Sequence, residues 1–192
     1  MSRKYLETIK AVDGVAFNLS YHQLRLEATL GSNKIQLETI LNPPKKGLYR
    51  CRVVYDEDTY SVNYIEYSKK NIQSLKLVYA DSLEYSKKYE NREALNLLLE
   101  KKEKCDDILV VQNGLLTDTS IANIALYDGN KWFTPKEPLL KGTCRARLLA
   151  EGKIFETDIK VNEIKNFQKV ALMNAMIDFD IIAIENIEEV IC

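Results

Sequence analysis

The dipeptide Asn113-Gly114 stands between two apolar runs in DILVVQNGLLTD, and no other short feature of the chain constrains its fold as strongly. Asn and Gly both tolerate the left-handed backbone of a two-residue type I′ turn, whose twist matches that of paired strands. The segment therefore predicts a tight antiparallel hairpin. NIALYDGNKWFTP repeats the device with Asp128-Gly129. Upstream, RCRVVYDEDTYSVNYIEY places Cys51, Val53 and Tyr55 on one strand face, then Tyr60, Val62 and Tyr64 after a DEDT turn. IQSLKLVYA reads as a further strand. A chain with this many pairing signals must be largely sheet.

From about Asn91 to Lys104 the spacing changes, and Ala94, Leu95, Leu98 and Leu99 recur at helical intervals with charges opposite. LLKGTCRARLLAEG reads as a loop, a glycine and a short helix closed by Gly152. The remainder reads as three strands with a short helix started by Asn162. Strands with a few helices make an α+β chain, expected as lobes at 1–80 and 87–192 joined near 78–86. Its 192 residues suffice for a core without staples.

Charge and length narrow the function. The 27 basic and 28 acidic residues leave a net charge of -1, which argues against a nucleic-acid partner. The apolar runs are strand-length, short of the roughly 20 residues of a membrane span. MSRKYLETIK carries no apolar signal core. A cytoplasmic location is expected, with no membrane partner. Cys51, Cys105, Cys144 and Cys192 lack C-x-x-C spacing and read as reduced thiols. His22 is the one histidine, so no zinc cluster and no metal are expected.

Four short segments have chemical potential, and each also has a plainer reading. Gly142 opens a helix whose first N–H groups suit a phosphate, as an ordinary loop-to-helix junction also would. His22 and Arg25 stand three apart in YHQLRL; Arg suits bidentate phosphate contact, or a solvated helix turn. Asp118 and Asn123 lie in TDTSIAN, where TDTS is also a turn composition. Lys87 and Lys88 adjoin in KKYENR. A lysine that attacks a carbonyl must be partly neutral, but solvated lysine pairs are common.

Taken in order, these segments resemble the class-IV aminotransferases, the fold-type-IV pyridoxal phosphate (PLP) enzymes. YLETIK is similar to that family's F-E-T-I, YHQLRL to its H-x-x-R-L, and KYENR to the K-x-x-N-R of its lyase members. TDTSIAN is similar to T-E-x-x-x-x-N, WFTP to Y-T-P, and LLKGTCR to L-x-G-(I/V)-(T/M)-R. NAM falls where the family has a second phosphate loop. The resemblance covers nearly the whole chain.

It implies a two-lobed, D-amino acid aminotransferase-like PLP-dependent fold, shortened at both ends relative to familiar members. It implies that Lys88 forms the Schiff base, with Lys87 its solvated neighbour. Arg25, supported by His22, would hold the cofactor phosphate together with the backbone of Gly142, Thr143 and Cys144 and with Asn174 and Ala175. Asp118 would face the pyridine nitrogen, although the family usually has Glu there; Thr143 and Cys144 likewise depart from the usual Ile-Thr or Val-Thr. A homodimer acting on a small amino substrate is implied. The leading activity is 4-amino-4-deoxychorismate lyase, in folate biosynthesis. The alternatives are a small D-amino acid or branched-chain aminotransferase and a non-catalytic binding protein. Arg50 and Arg52, on one strand face, are expected to pair with substrate carboxylates, or else to form a solvated face.

Overall fold

The structure is a computed structural model that describes residues 3–182 and 187–191. It divides into two compact units, Met1–Lys69 with Lys87–Asn91, and Lys70–Ser86 with Arg92–Cys192.

The first unit contains β1 (Tyr5–Val12), β2 (Val15–Ala16), α1 (Leu19–Leu30), α2 (Leu37–Ile40), β3 (Leu48–Tyr55) and β4 (Tyr60–Glu66). Its sheet runs β2-β1-β3-β4. Glu7 lies opposite Val53 and Thr8 opposite Arg52. Side chains alternate between faces along a strand, so Ile9, Cys51, Val53 and Tyr55 share one face and pack with Leu26 and Leu37 of the helices. α1 stops at Gly31, whose φ of 67° is left-handed. The DEDT turn forms as expected: the Asp56 carboxylate accepts from the Asp58 and Thr59 N–H groups. Val62 and Tyr64 pack against the core, but Tyr60, at the turn end of its strand, is exposed.

Residues 87–91 belong to this unit because they pair with β1. Leu6 N–H donates to Lys88 O, Glu90 N–H donates to Lys4 O, and Tyr5 bridges Tyr89 in antiparallel fashion. The expected boundary moves accordingly. Lys88 is part of the first unit, not of a C-terminal lobe beginning at residue 87, and 75–79 fall in the second.

The second unit contains β5 (Leu75–Tyr79), α3 (Glu93–Leu99), β6 (Asp107–Gln112), β7 (Leu115–Thr119), β8 (Asn123–Tyr127), β9 (Trp132–Pro135), α4 (Thr143–Ala150), β10 (Phe155–Thr157), β11 (Lys169–Asn174), β12 (Asp178–Ile181) and α5 (Ile187–Val190). The strand path is β10-β9-β8-β7-β6-β5, and β11 pairs with both β8 and β12. β5 is parallel to β6, which fixes its place here. Both hairpins form: Asn113 and Gly114 have φ of 50° and 77°, and Asp128 Oδ1 accepts from the Asn130 and Lys131 N–H groups. Leu109, Leu116, Ile124 and Leu172 lie in the main core.

Two helices differ from expectation. α3 ends at Leu99 and tightens into a 3₁₀ turn, Glu100–Lys102, before Glu103 turns left-handed. The late helix is a 3₁₀ segment, Val161–Asn166, that starts after Lys160 and not at Asn162. The Lys160 N–H donates to the Glu163 carboxylate, so Glu163 caps the turn and Asn162 lies inside it. Among the described residues no helix is long and apolar enough to cross a membrane.

Candidate functional site

In the first unit the chemistry gathers around one carboxylate. Glu7, fully buried in β1, stands on the face of the sheet that carries Ile9 and Ala11 and meets α1. From that helix Arg25 donates Nε–H to Glu7 Oε1 at 2.8 Å and Nη2–H to Oε2 at 2.6 Å. His22, one turn earlier, places Nδ1 2.5 Å from Oε2. The spacing of three puts both side chains on one helix face.

Burial alone would push the Glu7 carboxyl up, but the Arg25 charge and the bonds from His22 and Arg25 outweigh it and hold the carboxyl at about 2. An ionised carboxylate can only accept, so His22 carries its proton on Nδ1. Burial lowers the imidazole below its ordinary value despite Glu7, and the positive charges of Arg25 and Lys88 push the same way. His22 is therefore neutral at pH 7. Sequence reasoning assigned Arg25 and His22 but missed Glu7. Its signal was a carboxylate in an alternating row (Tyr5, Glu7, Ile9, Ala11) that is otherwise apolar or aromatic.

The adjacent lysines precede Tyr89, which bridges Tyr5 of β1. Lys87 turns toward α1, donating Nζ–H to Thr29 O at 2.9 Å with its ammonium 5.3 Å from the Tyr5 ring centroid. It is thus anchored and half-buried, which corrects the expectation of a solvated side chain. Lys88 O accepts from the Leu6 N–H, which holds that residue beside β1. On β3, Arg52 donates to Glu90 Oε1 at 3.0 Å, with each side chain about a third exposed. Arg50 lies opposite Lys10, and its Nε is buried without an acceptor among the described residues.

In the second unit three loops converge. Asp118, at the end of β7, is buried and accepts from Asn123 Nδ2 at 2.8 Å and from the Leu140 N–H at 2.9 Å. Burial pushes its carboxyl up to about 7 against these two donors. Asn123 Nδ2 also donates to Leu140 O, which ties β8 to the loop before α4. Gly142 precedes that helix so closely to Asn123 that any Cβ would collide with Asn123 Oδ1. The first-turn amides of a helix have no acceptor within it, so the Thr143 and Cys144 N–H groups fall where an anion is favoured.

Asn174 Oδ1 accepts from the Met176 and Ile177 N–H groups, and its Nδ2 donates to Ile121 O. The Cys144 thiol reaches Asp178 O at 3.2 Å. The Asn174–Asp178 loop is therefore tied both to the 119–122 turn and to the start of α4, so the two loops expected to share a phosphate are neighbours. Burial pushes the Cys144 thiol up to about 12, and Cys51 and Cys144 are free thiols; Cys192 lies outside the described residues. Arg92, which the sequence left unassigned, donates Nη2–H to Ser120 O at 2.5 Å.

A family model described as amino-transferase class IV matches residues 53–184. An uncharacterised protein of Haemophilus influenzae is 37% identical over 180 residues, 88% of this chain and 96% of that protein. Among solved structures, a candidate 4-amino-4-deoxychorismate lyase from Haemophilus somnus is 35% identical with a TM-score of 0.84, over 92% of this chain and 97% of its own. An aminotransferase from Brucella abortus, solved with the cofactor PLP, shares the fold at 14% identity and a TM-score of 0.72, over 94% and 80% of the two chains.

Proposed function

The chain belongs to the class-IV amino-transferase family, and from that premise we propose that it is a PLP-dependent 4-amino-4-deoxychorismate lyase. The observation that carries this reading is the buried cluster of the first unit, in which His22 and a guanidinium of the kind that grips phosphate share the Glu7 carboxylate. The likeness to the Haemophilus somnus protein over nearly the full length of both chains favours the lyase over other activities of the family.

The residues fit the cofactor. Arg25 has its Nε edge on Glu7, and the other edge of a guanidinium is the one that takes an oxyanion end-on. Gly142 lets the start of α4 lie against Asn123, beside the Asn174 loop, and the first-turn N–H groups there would be backbone donors to a phosphate. Asp118 is a carboxyl raised by its burial, and a protonated ring nitrogen beside it would favour its ionised form.

When bound, PLP supplies an electron sink for the C–H bond on the amine-bearing carbon. Lys88 would hold the cofactor, and its amine would be the base for the proton on the amine-bearing ring carbon of the substrate. The enolpyruvyl C–O bond breaks, the ring becomes aromatic, and the same proton returns to the departing group. The products are 4-aminobenzoate and pyruvate, with no water or acceptor consumed. Arg50, with its buried unpaired Nε, is the better placed of the two β3 arginines to meet a substrate carboxylate, because Arg52 already has Glu90. The reading carries with it a cytoplasmic homodimer serving folate synthesis.

The test is to incubate purified protein, PLP and aminodeoxychorismate without any 2-oxo acid. Equal amounts of 4-aminobenzoate and pyruvate are expected. Activity seen only with an amino acid and 2-oxoglutarate makes it an aminotransferase. A protein that stays colourless with added PLP is neither.

A further inference from the structure

Glu7 belongs to a motif singled out in the sequence, yet the reaction as described gives it no task. It is also the most completely enclosed charge of the first unit: it is fully buried and takes three donors from two side chains of α1. Burying a charge is costly unless it is paired and hydrogen-bonded. Apolar residues fill the rest of its sheet face and would pack there without that cost.

The two Arg25 bonds are specific in direction. They engage Nε and Nη2, the side-on edge of the guanidinium, and so fix the plane of the group and the direction of its end-on Nη1–Nη2 edge. The His22 bond fixes a tautomer with the proton on Nδ1.

We propose that Glu7 is a positioning residue that aims the end-on edge of Arg25 at the phosphate of the cofactor. The inference rests on the PLP reading above. Its rival is that Glu7 only neutralises Arg25, and the two differ in sign. A guanidinium stripped of a mere counter-ion binds phosphate more tightly, whereas one stripped of its brace binds phosphate less well.

Titrations of PLP and of pyridoxal, which lacks the phosphate, separate the cases when followed by the visible absorbance of the bound cofactor. Wild-type protein is expected to prefer PLP. Glu7→Gln is expected to weaken PLP about 10- to 100-fold, the range for losing a group that orients a ligating side chain, while pyridoxal changes little. Arg25→Ala is expected to do the same, and the double variant to be no worse for PLP than Arg25→Ala alone, because residues acting as a unit are non-additive. Glu7→Asp keeps the charge but withdraws it by one methylene, and it serves if the Gln variant does not fold; it too should lose the preference for PLP. A variant that keeps the wild-type preference, binds PLP more tightly, or loses PLP and pyridoxal equally overturns the role of Glu7 alone. Wild-type protein that binds neither compound overturns the cofactor reading, and the proposal with it.

Discussion

At the scale of single residues, the deciding contrast is between two lysines one position apart. Lys87 is held by Thr29 and Tyr5, so Lys87→Ala should cost stability, about 1 kcal/mol from the lost hydrogen bond and cation–π contact, and leave cofactor binding largely intact. Lys88→Ala should abolish turnover and the covalent fixing of PLP by borohydride. Mass spectrometry after reduction reads the attachment directly, and a label on residue 87 would reverse the assignment. Such pairs expose the limit of sequence reading. The choice of Lys88 over Lys87 rests on resemblance, whereas the anchoring of Lys87 by Thr29 and Tyr5 depends on a helix and a strand far away in the sequence. Glu7 was legible only as an acid in an apolar row, because its partners lie 15 and 18 residues away on a helix whose docking the sequence does not encode locally.

At the scale of elements, turns were legible where a backbone demand selects the residue. Asn113 and Gly114 both take positive φ, and nothing lies within 4 Å of a Cβ added at Gly114. Gly114→Ala should therefore cost about 1 kcal/mol through backbone strain alone, seen as a lower denaturant midpoint with unchanged PLP affinity. Gly142 is the contrasting case, because its φ of -69° suits any residue and the constraint is purely spatial. Gly142→Ala should push Asn123 from its bonds to Asp118 and Leu140, costing about 1–3 kcal/mol as overpacking does and weakening PLP together with stability. Equal PLP affinity in the two glycine variants would remove α4 from the phosphate site. Helix ends were harder to read. Leu98 and Leu99 announced α3, but where it tightens into a 3₁₀ turn depends on the left-handed Glu103. Asn162 has the composition of a cap, yet Glu163 reaches the Lys160 N–H first. The grouping of 87–91 with β1 is a long-range pairing, which no local pattern can reveal.

At the scale of the whole chain, a buried carboxyl group of each unit, Glu7 in the first and Asp118 in the second, is displaced, and the two move in opposite directions. In the first unit Glu7 is held at about 2, and His22 lies below its ordinary 6.5. The unfolded chain therefore binds more protons than the folded one on the acid side. Stability from His22 is present above pH 6.5 and is lost as the pH falls below it. Stability from Glu7 is lost from 4.5 down toward 2. In the second unit Asp118 is raised from 3.8 to about 7, so its folded form retains a proton that the unfolded chain releases, and stability rises as the pH falls from 7 toward 4. Each proton carries at most about 1.4 kcal/mol per pH unit crossed. Hydrogen exchange of the cofactor-free protein, corrected for the intrinsic exchange rate and read by peptide mass spectrometry, reports the two units separately. Between pH 6.5 and 5, protection in α1 should decline while protection in β7 and β8 grows. His22→Gln should flatten the first trend and Asp118→Asn the second, each leaving the other in place. Parallel trends in both units, or slopes untouched by these substitutions, would mean that other groups set the acid response. Added PLP should raise protection at β7 more at pH 8 than at pH 5, because a cation beside Asp118 relieves a penalty that exists only once its proton has left.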